Sequence, residues 1–105
     1  MSRERSDAPF TDEVPRLLRD RQMSVSALAA AAGVSQSHLS RVLRQVNYKT
    51  PSPDLARRVA LALDLPADYF PEYREGFVID EVRRDARLRE SLYERLRKRR
   101  RRGRR

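Results

Sequence analysis

Apolar residues recur along this chain at spacings of three and four, and no stretch alternates as a strand does. Val14, Leu17 and Leu18 make the stripe of a first helix, with Arg16, Arg19 and Arg21 on its wet side. Thr11, Asp12 and Glu13 supply a cap and negative charge for its start, and Pro15 is tolerable only in a first turn. A second helix follows Ser24 as N-cap, with Leu28, Ala29 and Ala32 inward, and Gly33 stops it. Ser35 then caps a third helix that carries Leu39, Val42 and Leu43 on one side. A loop over Gln45–Ser52 leads to a fourth helix, with Pro53 at the favoured first position and Leu55, Val59, Ala60 and Leu63 as its stripe. Pro66 ends it, and Asp68, Tyr69, Phe70 and Pro71 read as a compact turn. Residues 76–98 are helical again, with Val78, Ile79, Val82, Ala86, Leu88, Leu92 and Leu96 apolar, as one helix or as two broken at Asp85. The expected fold is all-α: a flexible arm over residues 1–10, a domain over 11–73, a helical extension over 74–96 and a disordered Arg-rich tail over 97–105.

The centre of the pattern fits a helix-turn-helix. That motif needs a large and then a small apolar residue where its two helices touch, a glycine turn, and a second helix pinned by apolar residues whose other face stays polar. Leu28 and Ala29 supply the pair, Ala32, Gly33 and Val34 the turn, and Leu39 and Val42 the anchors.

The stretch SVSALAAAAGVSQSHLSRVL, Ser24 to Leu43, resembles the Xre-type helix-turn-helix regulators, the family of phage lambda repressor and Cro. PSPDL, from Pro51 to Leu55, and VALALDLP, from Val59 to Pro66, are similar to the family's fourth helix, and the resemblance covers roughly residues 11–73. It implies a lambda-repressor-like domain of about five helices, here with a C-terminal helical extension. Two places depart from the family. Val25 stands where a phosphate-touching Gln is frequent, so that contact is missing or comes from Ser24 or Ser26. Leu43 and Gln45 stand where Glu and Gly are frequent, and the loop to Pro51 is longer than the resemblance suggests.

On the third helix Gln36, Ser40 and Arg44 fall at i, i+4 and i+8, with Ser37 and Arg41 beside them, opposite Leu39 and Val42. Gln pairs bidentately with adenine and Arg with guanine, while Ser is short and promiscuous. The resemblance puts base reading near the helix start. Gln36, Ser37 and Arg41 are therefore the first candidates, with Ser40 and Arg44 behind them. A merely solvated face is the bland alternative. His38, the only histidine, is a backbone contact or a plain surface residue; with no cysteine and no second histidine, no metal site is expected. Asn47, Tyr48 and Lys49 are candidates for phosphate contacts at the groove edge, or an ordinary loop. Arg57 and Arg58 read as solvated or ion-paired.

Charge changes this picture less than its total suggests. The 105 residues carry a net +9, but nine of the 24 basic residues lie in Arg95–Arg105 with no acid among them, leaving 15 against 15 elsewhere. The case for nucleic acid therefore rests on local pattern. Within the tail, Arg97, Lys98, Arg99, Arg100, Arg101, Arg102, Arg104 and Arg105 are a non-specific phosphate binder with the reach to enter a minor groove; a solvated tail without a role is the alternative, and RNA is a further candidate target. The stripe Ile79–Leu96 either caps the domain's own core or pairs with a second chain. The family's symmetric dimers and the small size favour a homodimer.

No apolar run approaches the ~18 residues of a membrane span, and the polar start is no signal peptide, so a cytoplasmic, nucleoid-bound bacterial protein is expected. There is no Gly-rich phosphate loop and no paired nucleophile and base, so neither an enzyme nor a cofactor or small-molecule substrate is expected. The leading reading is a sequence-specific regulator of transcription on double-stranded DNA, a repressor. The alternatives are a nucleoid-associated architectural protein and an antitoxin-like protein-binding module.

Overall fold

A computed structural model describes residues 4–45 and 50–103. Among these it holds six helices and no strand: α1 (Phe10–Arg21), α2 (Val25–Ala32), α3 (Gln36–Leu43), α4 (Pro53–Ala62), α5 (Pro71–Arg84) and α6 (Ala86–Gly103). The serine caps stand where the sequence puts them. Ser24, Ser35 and Ser52 each accept, through the side-chain oxygen, the N–H three residues on, at 3.0, 3.1 and 3.1 Å. The expected stripes of α1 to α4 converge on one core, in which Val14, Leu28, Leu39, Val59 and Leu63 are fully buried.

Two expectations are corrected at the N-terminal end. Helix α1 begins at Phe10 behind Pro9, and no side chain of its own sequence caps it. Its first N–H donates instead to both carboxylate oxygens of Glu72 in α5, at 3.0 and 3.2 Å. The segment before it is no loose arm over its described part. Ser6 is buried; its N–H donates to the Tyr69 carbonyl at 2.8 Å, and its own carbonyl accepts from Arg74 at 2.7 Å. Phe10 belongs to the core, edge-to-face with Phe70 at 4.9 Å. Phe70 is fully buried and Tyr69 nearly so, which makes the compact turn at 68–71 a core element as well.

Glu13 supplies more than helix-dipole charge. It is only 6% exposed, takes two bonds from Arg16 at 2.6 and 2.8 Å, and accepts the Tyr69 hydroxyl. The Arg16 bonds hold its carboxyl below the ordinary glutamate range despite burial, while burial, aided by the bond to Glu13, pushes the Tyr69 phenol up.

The C-terminal part divides at Asp85, which is extended (φ −113°, ψ 101°) and caps α6 by accepting the Leu88 N–H at 3.1 Å. Helix α6 then runs to Gly103, through residues expected to be disordered. Arg and Lys are good helix formers, and cations at a helix C-terminus are favoured by its dipole. Glu94 bonds Arg97 one turn on, at 2.9 Å. Helix α5 crosses the start of α4 so closely that a Cβ at Gly76 would lie 2.2 Å from Pro53 Cγ.

Candidate nucleic-acid interface

Two short helices and a three-residue turn position the site. Gly33 ends α2 in the left-handed conformation (φ 72°, ψ 33°), and its N–H and that of Val34 close onto the Ala30 and Ala29 carbonyls at 3.3 and 3.0 Å. A Cβ there would meet nothing nearer than Arg58 Nη1 at 3.5 Å, so the backbone angle, not space, selects glycine. Leu39 and Val42 then bury one side of α3 against the core, as Leu28, Ala29 and Ala32 do for α2. Burial of a leucine is worth about 1.5–3 kcal/mol, so Leu39 fixes the rotation of α3 about its axis.

That rotation turns the rest of α3 outward. Gln36, Ser37, His38, Arg41 and Arg44 are exposed and Ser40 is half-buried. Arg44 lies back along its helix, its Nε donating to the Ser40 carbonyl at 3.4 Å. Ser24 and Ser26 are exposed at the start of α2, the first with its oxygen engaged as the cap. The N-termini of both helices carry no acid in their first turn, whereas α1, α4 and α5 carry Asp12 and Glu13, Asp54, and Glu72. The partial positive charge of α2 and α3 is thus left without a neutralising side chain in that turn. Arg57 and Arg58 both donate to Asp54 at 2.8 Å, which holds its carboxyl below the ordinary aspartate range. Asn47, Tyr48 and Lys49 lie outside the described residues, as do Arg104 and Arg105 of the tail.

A family model for the helix-turn-helix matches residues 16–70, more than half of the chain. The chain belongs to the Xre, lambda-repressor-like helix-turn-helix family. Neither the curated proteins nor the solved structures hold a match to it. The family is a DNA-binding regulatory one, and its all-helical fold is the one this helix-turn-helix protein adopts.

Membership gives meaning to two departures. Gln45, where a glycine is frequent, adopts the left-handed backbone (φ 55°) that glycine would favour, and its side chain donates to Thr11 Oγ1 at 3.3 Å. Val25, where a glutamine is frequent, lines a shallow notch of about 320 Å³ with Ser40, Leu43 and Arg44. The sequence shows the missing polar group at Val25; the notch beside Ser40 needs α2 and α3 in place to be seen. Among the described residues no three His, Cys, Asp or Glu side chains gather as a metal site, and no helix is long and apolar enough to cross a membrane.

Proposed function

We propose that the chain is a sequence-specific repressor that reads the major groove with α3 and binds two half-sites as a homodimer, in the bacterial nucleoid. The observation that carries this reading is the exposed face of α3. Gln36, Ser37 and Arg41 sit together on it, α2 and α3 bear no acid, and Leu39 and Val42 lock the opposite face into the core. Gln36 and Arg41 have the reach and geometry for bidentate contacts to adenine and guanine. Ser24, Ser26 and His38, all exposed, take phosphates in this reading, and occupying an operator suffices for repression.

A second reading, an architectural protein with many weak sites, is favoured by the basic run in α6, which supplies affinity without sequence preference. Selection of sheared genomic DNA by the purified protein at physiological salt separates the two. A few peaks sharing a palindrome, with half-sites about 34–36 Å apart, are expected for a dimeric regulator; broad enrichment without a motif overturns it. On a selected site, Gln36→Ala or Arg41→Ala should cost about 1–3 kcal/mol while leaving random DNA nearly unaffected. Equal losses on both DNAs in a titration would remove these residues from the reading face.

A further inference from the structure

Among the described residues, two helix faces lack partners. On α5, Phe77 and Val78 are 58% and 54% exposed, and they border an open groove of about 410 Å³ with Ala67, Tyr73 and the charged Arg5, Asp68 and Arg74. On α6, Leu88, Leu92 and Leu96 repeat at four-residue spacing along one side, and Leu96 and the neighbouring Tyr93 are 53% and 58% exposed. The stripe of α6 therefore does not cap the chain's own core. The radius of gyration, 16.7 Å, exceeds the ~13 Å of a compact chain of this length, as a projecting α6 requires.

The exposed charges three residues from the middle of each stripe have opposite sign. Glu75 and Glu81 stand three residues before and after Val78, so they border the α5 stripe on both sides. Arg74 borders it too, but its guanidinium is taken up by the Ser6, Asp68 and Tyr69 carbonyls, and Arg5 in the groove is paired with Asp68. Arg89 and Arg95 border Leu92 in the same way, and Arg99 follows Leu96 by three, while the acids of α6, Glu90 and Glu94, sit on the far side of that helix. Arg95 and Arg99 form no ion pair among the described residues. Pairing α6 with another α6 would set arginines against arginines, and pairing α5 with α5 would set glutamates against glutamates. Each stripe fits the other kind.

The two stripes of one chain do not close on each other. Antiparallel helix pairs need a connection of about 2–5 residues, and α5 and α6 are joined by Asp85 alone, held extended and committed as a cap. We propose that two copies exchange α6 reciprocally, each laying Leu88, Leu92 and Leu96 on the α5 face of its partner, with Arg95 and Arg99 meeting Glu75 and Glu81. A two-fold axis makes the exchange self-complementary and closed, as an isologous dimer requires. This rests on the homodimeric reading above and names its interface. It also divides the basic run: Arg95 and Arg99 serve the dimer, Arg97 pairs with Glu94, and the other cations are left for phosphate.

The test is sedimentation equilibrium of the full chain without DNA, on wild type and two charge-reversed proteins, E75R/E81R and R95E/R99E. All four positions are exposed and outside the core, and circular dichroism checks that each variant folds. Exchange predicts a wild-type dimer, dimerisation at least about tenfold weaker in each variant alone, and recovery of a dimer when the two variants are mixed. In the mixture one interface pairs reversed charges with reversed charges, opposite in sign again, and the other keeps the natural pairs. A wild type that stays monomeric to tens of micromolar overturns both the homodimeric reading and the exchange. A dimer in which the variants behave as wild type, or whose mixture does not recover, overturns the exchange alone. Since no DNA is present, neither outcome bears on α3 as the reading helix.

Discussion

Replacing Gly76 by alanine gives the sharpest test of how α5 is seated. In an unconstrained helix interior this change is favourable by about 0.8–1.0 kcal/mol, because alanine loses less backbone entropy than glycine. Here the added methyl carbon would lie 2.2 Å from Pro53 Cγ and 2.9 Å from Pro53 Cβ. Non-bonded carbons rest at about 3.5–4.0 Å, so α5 has to lift from the start of α4 by more than about 1 Å. The proline ring cannot swing aside as a long side chain would. Its position is fixed by the N-cap bond that the Leu55 N–H donates to Ser52 Oγ and by helical backbone angles at the first position. Overpacking of this kind costs about 1–3 kcal/mol, or more where the obstacle is rigid. A rigid ring puts the cost in the upper part of that range, about 2–3 kcal/mol, so after the opposing gain of about 0.8–1.0 kcal/mol the expected net is about 1–2 kcal/mol of destabilisation. For a domain of this size that is roughly 5–10 °C in Tm.

Urea unfolding followed by circular dichroism measures it, with the midpoint expected to fall while the slope m stays constant. The double variant Pro53→Ala/Gly76→Ala removes the nearer ring carbon. It should therefore lose less than the sum of the single changes, by about 0.5 kcal/mol or more. A Gly76→Ala protein as stable as wild type, or more so, would show that the two helices do not approach this closely and would refute the reasoning.

Three further outcomes follow from the same geometry. Glu13, held below its ordinary value of 4.5 by Arg16, stabilises the fold above that value, and its contribution is lost as pH falls through the lowered one; Glu13→Gln should flatten the decline of Tm below about pH 4.5. Val25→Gln restores a polar group at the start of α2, beside the α3 face, and should tighten binding to specific and random DNA alike by about 1 kcal/mol with the salt slope unchanged, as a titration at several salt concentrations would show. Deleting residues 100–105 should weaken all DNA binding equally and flatten the salt slope by about 0.9 for each phosphate no longer neutralised; an unchanged slope would mean that this end of the chain does not touch phosphate.

What the sequence conveys best is what is local. The α2–turn–α3 unit is legible because each of its requirements falls within about four residues of the next, namely cap, large and small apolar pair, glycine, cap and anchor. The start of α1 is not legible in the same way. Its cap is Glu72, 62 residues away in sequence, so Phe10 next to a polar stretch reads as part of an arm. Tyr69 and Phe70 look like turn residues beside Pro71 and become core only when the N-terminal segment lies over them. Gly76 carries no signal in a helix until Pro53 stands against it. Charge misleads at the other end: the run after Leu96 reads as a solvated tail, yet arginine and lysine are good helix formers, and α6 continues to Gly103. The polar face of α3 is legible because it is the complement of an anchored one. The notch at Val25 is not, because it depends on how two helices cross.

These long-range contacts share a consequence for recognition. A dimer that reads two half-sites must hold its reading helices at a fixed separation, since a half-site spacing is a distance. The path from α3 to the proposed dimer face runs through the core into α4 and then across to α5, and each step of it is tied. Gly76 seats α5 on Pro53. Glu72 in its first turn takes the Phe10 N–H, and Arg74 donates to the Ser6, Asp68 and Tyr69 carbonyls at 2.7–2.8 Å. Three carbonyls from two segments thus converge on one guanidinium, whose planar, always-charged fork is suited to hold them. The N-terminal segment in this way fixes the direction in which α5 leaves the domain. Under the exchange proposed above, that direction sets where the second reading helix stands.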